Sequence, residues 1–531
     1  MQRMIFHNGH ITTLEASHPQ VEAVVVENGK VMAMGSSKEM RLEYGRYDTE
    51  CVDLEGGYAY PGLVDSHLHL SSLGEKLQWL DLTHCRTKKE IMSLIQARVA
   101  DITPNEWVIG HGWDEHRLGG GMPTLTELDA ISPHHPVFLG RICYHAYLVN
   151  SCAYKRAGVY TSIADPPNGS YGRDESGHLN GWIYDHASAP FYAVQPEPSY
   201  QTKKEALREA MQMALACGLT AVHTDDLRFV KNVPDLVRIF RELREEGLYL
   251  RTHHLLYHPY LSAYAQMKLT EDPDWFRIGA VKLFADGAIG GRTALLSQPY
   301  ADDRLNYGLS IHTPQEMVAI ANQANQHGLP IAVHAIGDEA TARVLQVMEE
   351  VPFRHSGLRH RLIHGQFLRP DLIAKMKQLN LVVDIQPRFV VSDFPWVTER
   401  VGEARIRYAY AWKSLLEAKI PCAGGSDAPI EPLHPLWGMH AAITRRRIEE
   451  RRTHPGYLPE QKLTTYEALT LFTKGSSYAE GEEMRRGSLA IGKMADMSVY
   501  DRNLLGIEVD ELLCAETRFT IANGKVAYRI T

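Results

Sequence analysis

The sequence predicts an α/β fold: a (β/α)8 barrel, a small β-sandwich domain formed by both chain ends, and an insertion after the first barrel strand. Three observations carry this expectation. The segments Ile278–Lys282, Leu329–His334, Arg361–His364 and Ile420–Asp427 are short apolar runs ending in a side chain that can ligate a metal, and helical stretches 314–327, 338–350 and 370–379 lie between or after them. That is the pattern of buried parallel strands in repeated βα units. Both chain ends alternate apolar with polar residues around Asn-Gly pairs, and far more chain separates His69 from Lys282 than three βα units require.

In chain order, residues 3–14 and 21–35 contain Asn8-Gly9 and Asn28-Gly29, both two-residue hairpin signals. Residues 1–58 open the sandwich and 485–531 complete it: Gly487–Tyr500 reads as a turn followed by a strand, and Thr517–Ala527 holds Asn523-Gly524. Pairing the two ends avoids the exposed edges that two separate β-appendages would leave. The barrel takes residues 59–484. Its first strand carries His67 and His69, and residues two apart on a strand share a face, so both imidazoles reach one ion. About residues 84–200 form the insertion, with turn-rich Gly119-Gly120-Gly121-Met122-Pro123 and the aromatics Trp107, Trp113, Tyr144, Tyr147 and Trp182, most of them expected in its core. Thr220–His223 and Tyr249–His253 are the second and third strands. Lys282, His334, His364 and Asp427 end the fourth, fifth, sixth and eighth, and in such a barrel all strand ends meet at one mouth.

Composition narrows the function classes. A chain of 531 residues exceeds one compact core. No window is apolar for long enough to span a bilayer, and the N-terminus lacks a charged-then-apolar signal pattern, so a cytoplasmic protein without a membrane partner is expected. The seven cysteines (51, 85, 143, 152, 217, 422, 514) form no C-x-x-C pair, which fits reduced, mostly buried thiols. With 56 Lys+Arg against 64 Asp+Glu and no basic block, nucleic acid is not the expected partner. Arg445-Arg446-Arg447 and Arg451-Arg452 alternate with glutamates and read as a solvated helix face. The expected partner is a small-molecule substrate, and the expected assembly a homodimer.

With these segments in place the chain resembles the amidohydrolase superfamily of metal-dependent hydrolases. The residues that carry the match are Pro61-Gly62-Leu63-Val64-Asp65-Ser66-His67-Leu68-His69, the strand-end His334 and His364, and Ser426-Asp427. Within the superfamily it looks most like amidohydrolase family 3, the relatives of N-substituted formamide deformylase, on Val281-Lys282-Leu283-Phe284-Ala285-Asp286-Gly287-Ala288, His334-Ala335-Ile336-Gly337-Asp338 and Gly425-Ser426-Asp427-Ala428-Pro429. The resemblance runs nearly end to end. It implies a TIM barrel with a divalent metal, zinc being the expected ion, at one or two ions per chain. It also implies His67, His69 and Asp427 on one ion, His334 and His364 on another, and Lys282 carboxylated by CO2 as the bridge. A plain lysine ammonium has no lone pair. The competing reading is therefore a charged Lys282 that pairs with Asp286 or Asp427 in a one-metal site.

This residue set suits hydrolysis. Zinc accepts imidazole nitrogen and carboxylate oxygen and keeps a position open in catalytic sites, where it lowers the pKa of water from 15.7 to about 7. Asp427 would be both ligand and general acid/base, although Ser-Asp-Ala-Pro alone reads equally as a helix cap. In deaminases of the superfamily a glutamate stands three residues after a strand-end histidine; here Gly337 and Phe367 hold those offsets. Phosphotriesterases share the ligand set without the terminal β-domain. Cleavage of an amide, N-acyl or N-formyl C–N bond is thus the leading expectation. The alternatives are an ester, lactone, carbamate or deaminase-type C–N bond at the same site, or a non-catalytic regulatory protein of exoenzyme production. His111, His145 and His223 are candidate oxyanion donors, each with a structural alternative. Trp113, His145, Asp286 and Arg292, with Thr293, are candidate substrate contacts. Against this, Asp286-Gly287 suits a turn after the fourth strand and Arg292 an ion pair that holds the loop. An aromatic-lined insertion favours a hydrophobic or aryl substituent.

Overall fold

The computed structural model describes residues 3–46, 49–115, 117–119, 121–142, 145–167, 169–267, 272–355 and 357–530. Gly120, Cys143 and Tyr144 lie outside the described residues. The chain divides into two compact units, Met1–Leu73 with Leu207–Thr531, and Gly74–Ala206.

Eight parallel strands form the centre of the first unit: β1 (Leu63–Leu68), β2 (Leu219–Thr224), β3 (Arg251–Tyr257), β4 (Phe276–Phe284), β5 (Ile331–Ala335), β6 (His360–His364), β7 (Leu381–Ile385) and β8 (Cys422–Gly424), hydrogen-bonded in sequential order. Every residue of β1, β2, β6 and β7 is buried, because both faces of such strands are covered and only their ends meet solvent. Beyond the strand ends, the Asp427 N–H donates to the His67 carbonyl (2.7 Å) and the His69 N–H to the Ala428 carbonyl (2.8 Å). These two bonds join the first strand's end to the segment after the last. The helix Pro314–Gln326 starts on a Thr313/Glu316 capping box with proline in the first turn. Pro370–Met376 is shorter than its sequence pattern suggests: the Gln378 and Leu379 amides turn back to Lys375 and Met376 in a tighter winding.

Arg361 and Asp384 form a fully enclosed ion pair in the barrel. Arg361 on β6 donates through Nε and a terminal nitrogen to both Asp384 oxygens on β7 (2.8 Å each) and also to the Ser66 carbonyl (2.6 Å). Asp384→Asn would leave that guanidinium uncompensated and is expected to cost about 3–5 kcal/mol in chemical denaturation, whereas replacing both partners by apolar residues of similar volume should recover much of it. Equal stabilities of the single and double variants would refute this account.

The terminal residues fold into two sheets of this same unit. One is Lys30–Gly35, Ala23–Glu27, Arg3–His7 and Glu50–Asp53; the other runs Lys525–Arg529, Thr517–Ala522, Met497–Tyr500, Tyr58–Pro61, His10–Thr12 and Gln20–Val21. Phe6, Val24, Val26, Leu54, Met497, Val499, Phe519 and Ile521 share their core. Asn28-Gly29 and Asn523-Gly524 make two-residue hairpins, with Glu27 opposite Lys30 and Ala522 opposite Lys525, and all four residues have positive φ. Asn8-Gly9 does not. It passes the chain from one sheet to the other, and only Asn8 takes the left-handed conformation.

The second unit has its own six-stranded mixed sheet, ordered Gly169–Arg173, Leu179–Asp185, Ala146–Val149, Val137–Arg141, Val108–Trp113 and Leu80–Asp81. Trp113 packs with Leu128, Leu139 and Leu148 in one apolar cluster, and Tyr147 with Phe138 and Phe191 in another.

Two expectations from composition need correction. Arg445 and Arg446 are buried, not solvated: Arg445 ends the helix Pro435–Thr444 and donates to the Tyr457 and Tyr410 carbonyls, while Arg446 pairs with Asp510. Carbonyls and a carboxylate replace the water that charge alternation implies. Of the cysteines, Cys85 and Cys422 are buried, but Cys51 and Cys514 are exposed. No helix among the described residues is long and apolar enough to cross a membrane.

Candidate metal centre

The end of β1 is fixed by Asp65, whose carboxylate accepts the His67 N–H (3.0 Å) and the Ser426 N–H (3.0 and 3.1 Å to its two oxygens). Burial pushes Asp65 up to about 7 against the pull of these donors. Gly425 allows the approach, since a Cβ there would lie 2.6 Å from the His67 nitrogen. Asp427 and His364 have φ of +60° and +78°, a region that residues other than glycine seldom adopt and that clusters at functional sites.

This backbone brings Asp427 Oδ1 to 3.4 Å from His67 Nε2 and 3.2 Å from His69 Nε2, without the alignment of a hydrogen bond. Among the described residues these three form the His/Cys/Asp/Glu group whose ligand atoms all lie within 4.8 Å of one another. Tetrahedral bonds of about 2.0–2.1 Å separate ligand atoms by roughly 3.3 Å, so the spacing fits one divalent ion. Burial, reinforced by Lys282, holds His67 well below its ordinary value, in the neutral form that ligates. Burial also opposes charge on His69 and Asp427, yet their mutual attraction prevails and holds His69 above and Asp427 below their ordinary values.

His334 and His364 complete a second donor pair. His334 Nε2 faces the Gly287 carbonyl at 3.1 Å and His364 Nδ1 the Gln386 Oε1 at 2.7 Å. These oxygens accept, so each outer nitrogen carries the proton and each inner nitrogen presents a lone pair. The inner nitrogens, His334 Nδ1 and His364 Nε2, are 2.9 Å apart. Burial keeps both rings neutral, holding His334 well below its ordinary value and lowering His364 to about 4. Two lone pairs at this distance repel unless a proton or a metal ion lies between them. The His364 ring centre lies 5.7 Å from that of His67, so both donor sets share one mouth.

Lys282 is fully buried, with Nζ 3.2 Å from His67 Nε2, and its charge also acts on His334 and His364. Burial lowers its ammonium to about 8, although Asp225, Asp427 and Asp384 oppose the shift.

The candidate substrate contacts are placed differently. Trp113 is enclosed in the insertion core, its indole N–H bonded to the Leu139 carbonyl (2.9 Å), so it has no free face for a ligand. His145 is exposed and sits 2.7 Å from Asp185 within the insertion. Asp286 is fully buried, and its oxygens accept the backbone N–H groups of Leu295, Ile336 and Gly337 (2.8–3.0 Å). It braces the segment behind His334. Arg292 grips Asp302 through two nitrogens (2.9 and 3.2 Å), and Thr293 Oγ1 accepts the Ala288 N–H, so both hold the loop after β4. Of the candidate donors, His111 packs on Trp79 in the insertion and His223 faces Glu480 at 3.4 Å.

Two residues at this mouth escaped sequence reasoning. Gln386 orients His364, and Asp225 brings a buried carboxylate to the end of β2. The available signal was position: each directly follows a barrel strand.

Comparison with known proteins identifies the family. Residues 50–528 match the model of the amidohydrolase family. YtcJ of Bacillus subtilis (strain 168), which carries an amidohydrolase name, is 37% identical over 528 residues, 99% of each chain. N-substituted formamide deformylase of Arthrobacter pascens is 24% identical over 549 residues, covering 100% of this chain and 99% of the other. The crystal structure of an uncharacterized metal-dependent hydrolase from Pyrococcus furiosus superposes with a TM-score of 0.78 at 29% identity, over 95% of this chain and 100% of that one.

Proposed function

The chain belongs to the amidohydrolase family, and from that premise we propose that it hydrolyses a C–N bond of the amide, N-acyl or N-formyl type in a small-molecule substrate. The observation that carries the proposal is the meeting of five side chains able to ligate a metal, His67, His69, Asp427, His334 and His364, at one barrel mouth that also holds Lys282. The similarity to a formamide deformylase supports the bond type.

A divalent ion, which we take to be zinc, would be held by His67, His69 and Asp427, and a second by His334 and His364. When bound, such ions supply Lewis acidity toward a carbonyl and toward water. The chain's own residues do the rest. Asp427 accepts the proton of the attacking water and passes it to the departing nitrogen. Gln386 and the Gly287 carbonyl hold the imidazoles in the tautomer that keeps the inner nitrogens free. Buried Lys282, whose neutral amine form is favoured by desolvation, would add CO2 through its amine nitrogen with loss of one proton to solvent, and the resulting carbamate anion would supply a further oxygen ligand. We place the protein in the cytoplasm as a homodimer.

The test is elemental analysis of the purified protein together with an assay panel of formamides, N-acyl amines, carbamates, esters and lactones. Release of an amine from an amide-type substrate by metal-loaded protein is the expected result. Stoichiometric metal without turnover of any panel member would instead favour the regulatory reading. In the same assay His69→Ala is expected to lower bound metal and abolish activity, since one of three close donors is gone; full metal and full activity would remove His69 from the site.

A further inference from the structure

Asp225 directly follows β2 and is 2% exposed. Thr224 pairs in register with Leu68, and the Asp225 N–H donates to the Leu68 carbonyl (3.3 Å), which sets the residue beside the strand end that carries His67 and His69. Neither of its carboxylate oxygens has a hydrogen-bond partner. Its neighbours differ. Asp226 accepts the Ser71 N–H at 2.7 Å, and Asp65 accepts two backbone amides.

An enclosed carboxylate without a donor is costly, and proteins keep one where a charge balances it. The positive or protonatable groups that act on Asp225 are His69, Lys282 and Arg228, and among the described residues none forms an ion pair with it. The carboxylate is therefore within electrostatic reach of His69 and Lys282 but has neither a hydrogen bond nor an ion pair to them.

We propose that Asp225 is a further carboxylate of the metal centre: the cation held by His67, His69 and Asp427 balances its charge, and Asp225 in turn tightens the hold on that cation. This rests on the reading of those three residues as metal ligands. It makes two linked predictions of opposite sign. Removing the carboxylate charge should weaken metal binding, yet should relieve the metal-free protein of an unbalanced buried anion.

The experiment uses the full chain stripped by chelator dialysis. Zn²⁺ is titrated against a competing chelating dye for the parent, Asp225→Asn and Asp225→Ala, and thermal unfolding of the three metal-free proteins is followed in parallel. The expected result is Zn²⁺ affinity about 10- to 100-fold weaker in Asp225→Asn, the range for groups that support metal ligands, with a metal-free melting temperature equal to or above the parent's. Affinity within twofold of the parent in both variants would overturn the proposal, as would a melting temperature that falls in both metal-free variants, which marks a structural role. If the parent itself binds no Zn²⁺, the ligand assignment fails first and the proposal falls with it. An intact parent site with unaltered variants overturns the role of Asp225 alone.

Discussion

Asp427→Asn is expected to retain the fold and much of the bound metal while losing turnover of the best amide substrate by at least about 10²-fold, the low end of what a positioned general acid–base contributes. The fold should survive for two reasons. Asparagine tolerates the left-handed backbone at φ +60° nearly as well as any non-glycine residue, and the anchoring bond from the residue 427 N–H to the His67 carbonyl is made by backbone. An amide oxygen can still face the ion where Asp427 Oδ1 lies against His67 and His69, but it cannot accept a proton at neutral pH. Steady-state kinetics with matched metal content checks this. A variant that turns over at the parent rate would show that Asp427 is only a ligand, and the base would then be sought at Asp225, another buried carboxylate at the strand ends.

Lys282→Ala should remove more. Its side chain is fully buried beside His67 Nε2 and acts electrostatically on His334 and His364, so loss of an anionic bridge there should weaken metal binding beyond the roughly 10- to 100-fold typical of outer partners, with activity lost in parallel. Short-chain carboxylates should restore part of both, because they can occupy the space of the missing carbamate, and bicarbonate in the growth medium should raise the activity of the parent. Mass spectrometry under native conditions decides the chemistry. An unmodified, protonated Lys282 in an active, metal-loaded protein would rule out the bridge and leave the one-metal reading.

Much of the barrel was legible because of a physical asymmetry. Parallel strands covered on both faces are mostly apolar along their length, so a histidine, lysine or aspartate that closes such a run, as at 282, 334, 364 and 427, points to the end open to chemistry. The substrate contacts were not legible in the same way. Trp113 and Asp286 stand in segments that match the family, yet a residue type does not say whether its surroundings are pocket or core: the Trp113 indole spans its own sheet and the Asp286 carboxylate collects three backbone amides. Arg292 was ambiguous for a related reason, since its bidentate pairing with Asp302 depends on how the loop after β4 folds back.

By itself the sequence determined the barrel class, the use of both chain ends in one β-region, and the strand-end positions of the candidate ligands, because hydrophobic periodicity and chain order act locally. Only the tertiary structure decided which polar groups find partners. Asn8-Gly9 and Asn28-Gly29 are the same dipeptide, but one crosses between sheets and the other closes a hairpin, according to which strands bury their apolar faces together. Asp225 and Asp226 are adjacent and identical in type, yet one caps Ser71 and the other is left without a donor. That difference comes from contacts between residues distant in sequence, and the unsatisfied buried charge it creates is visible only once the barrel has closed around it.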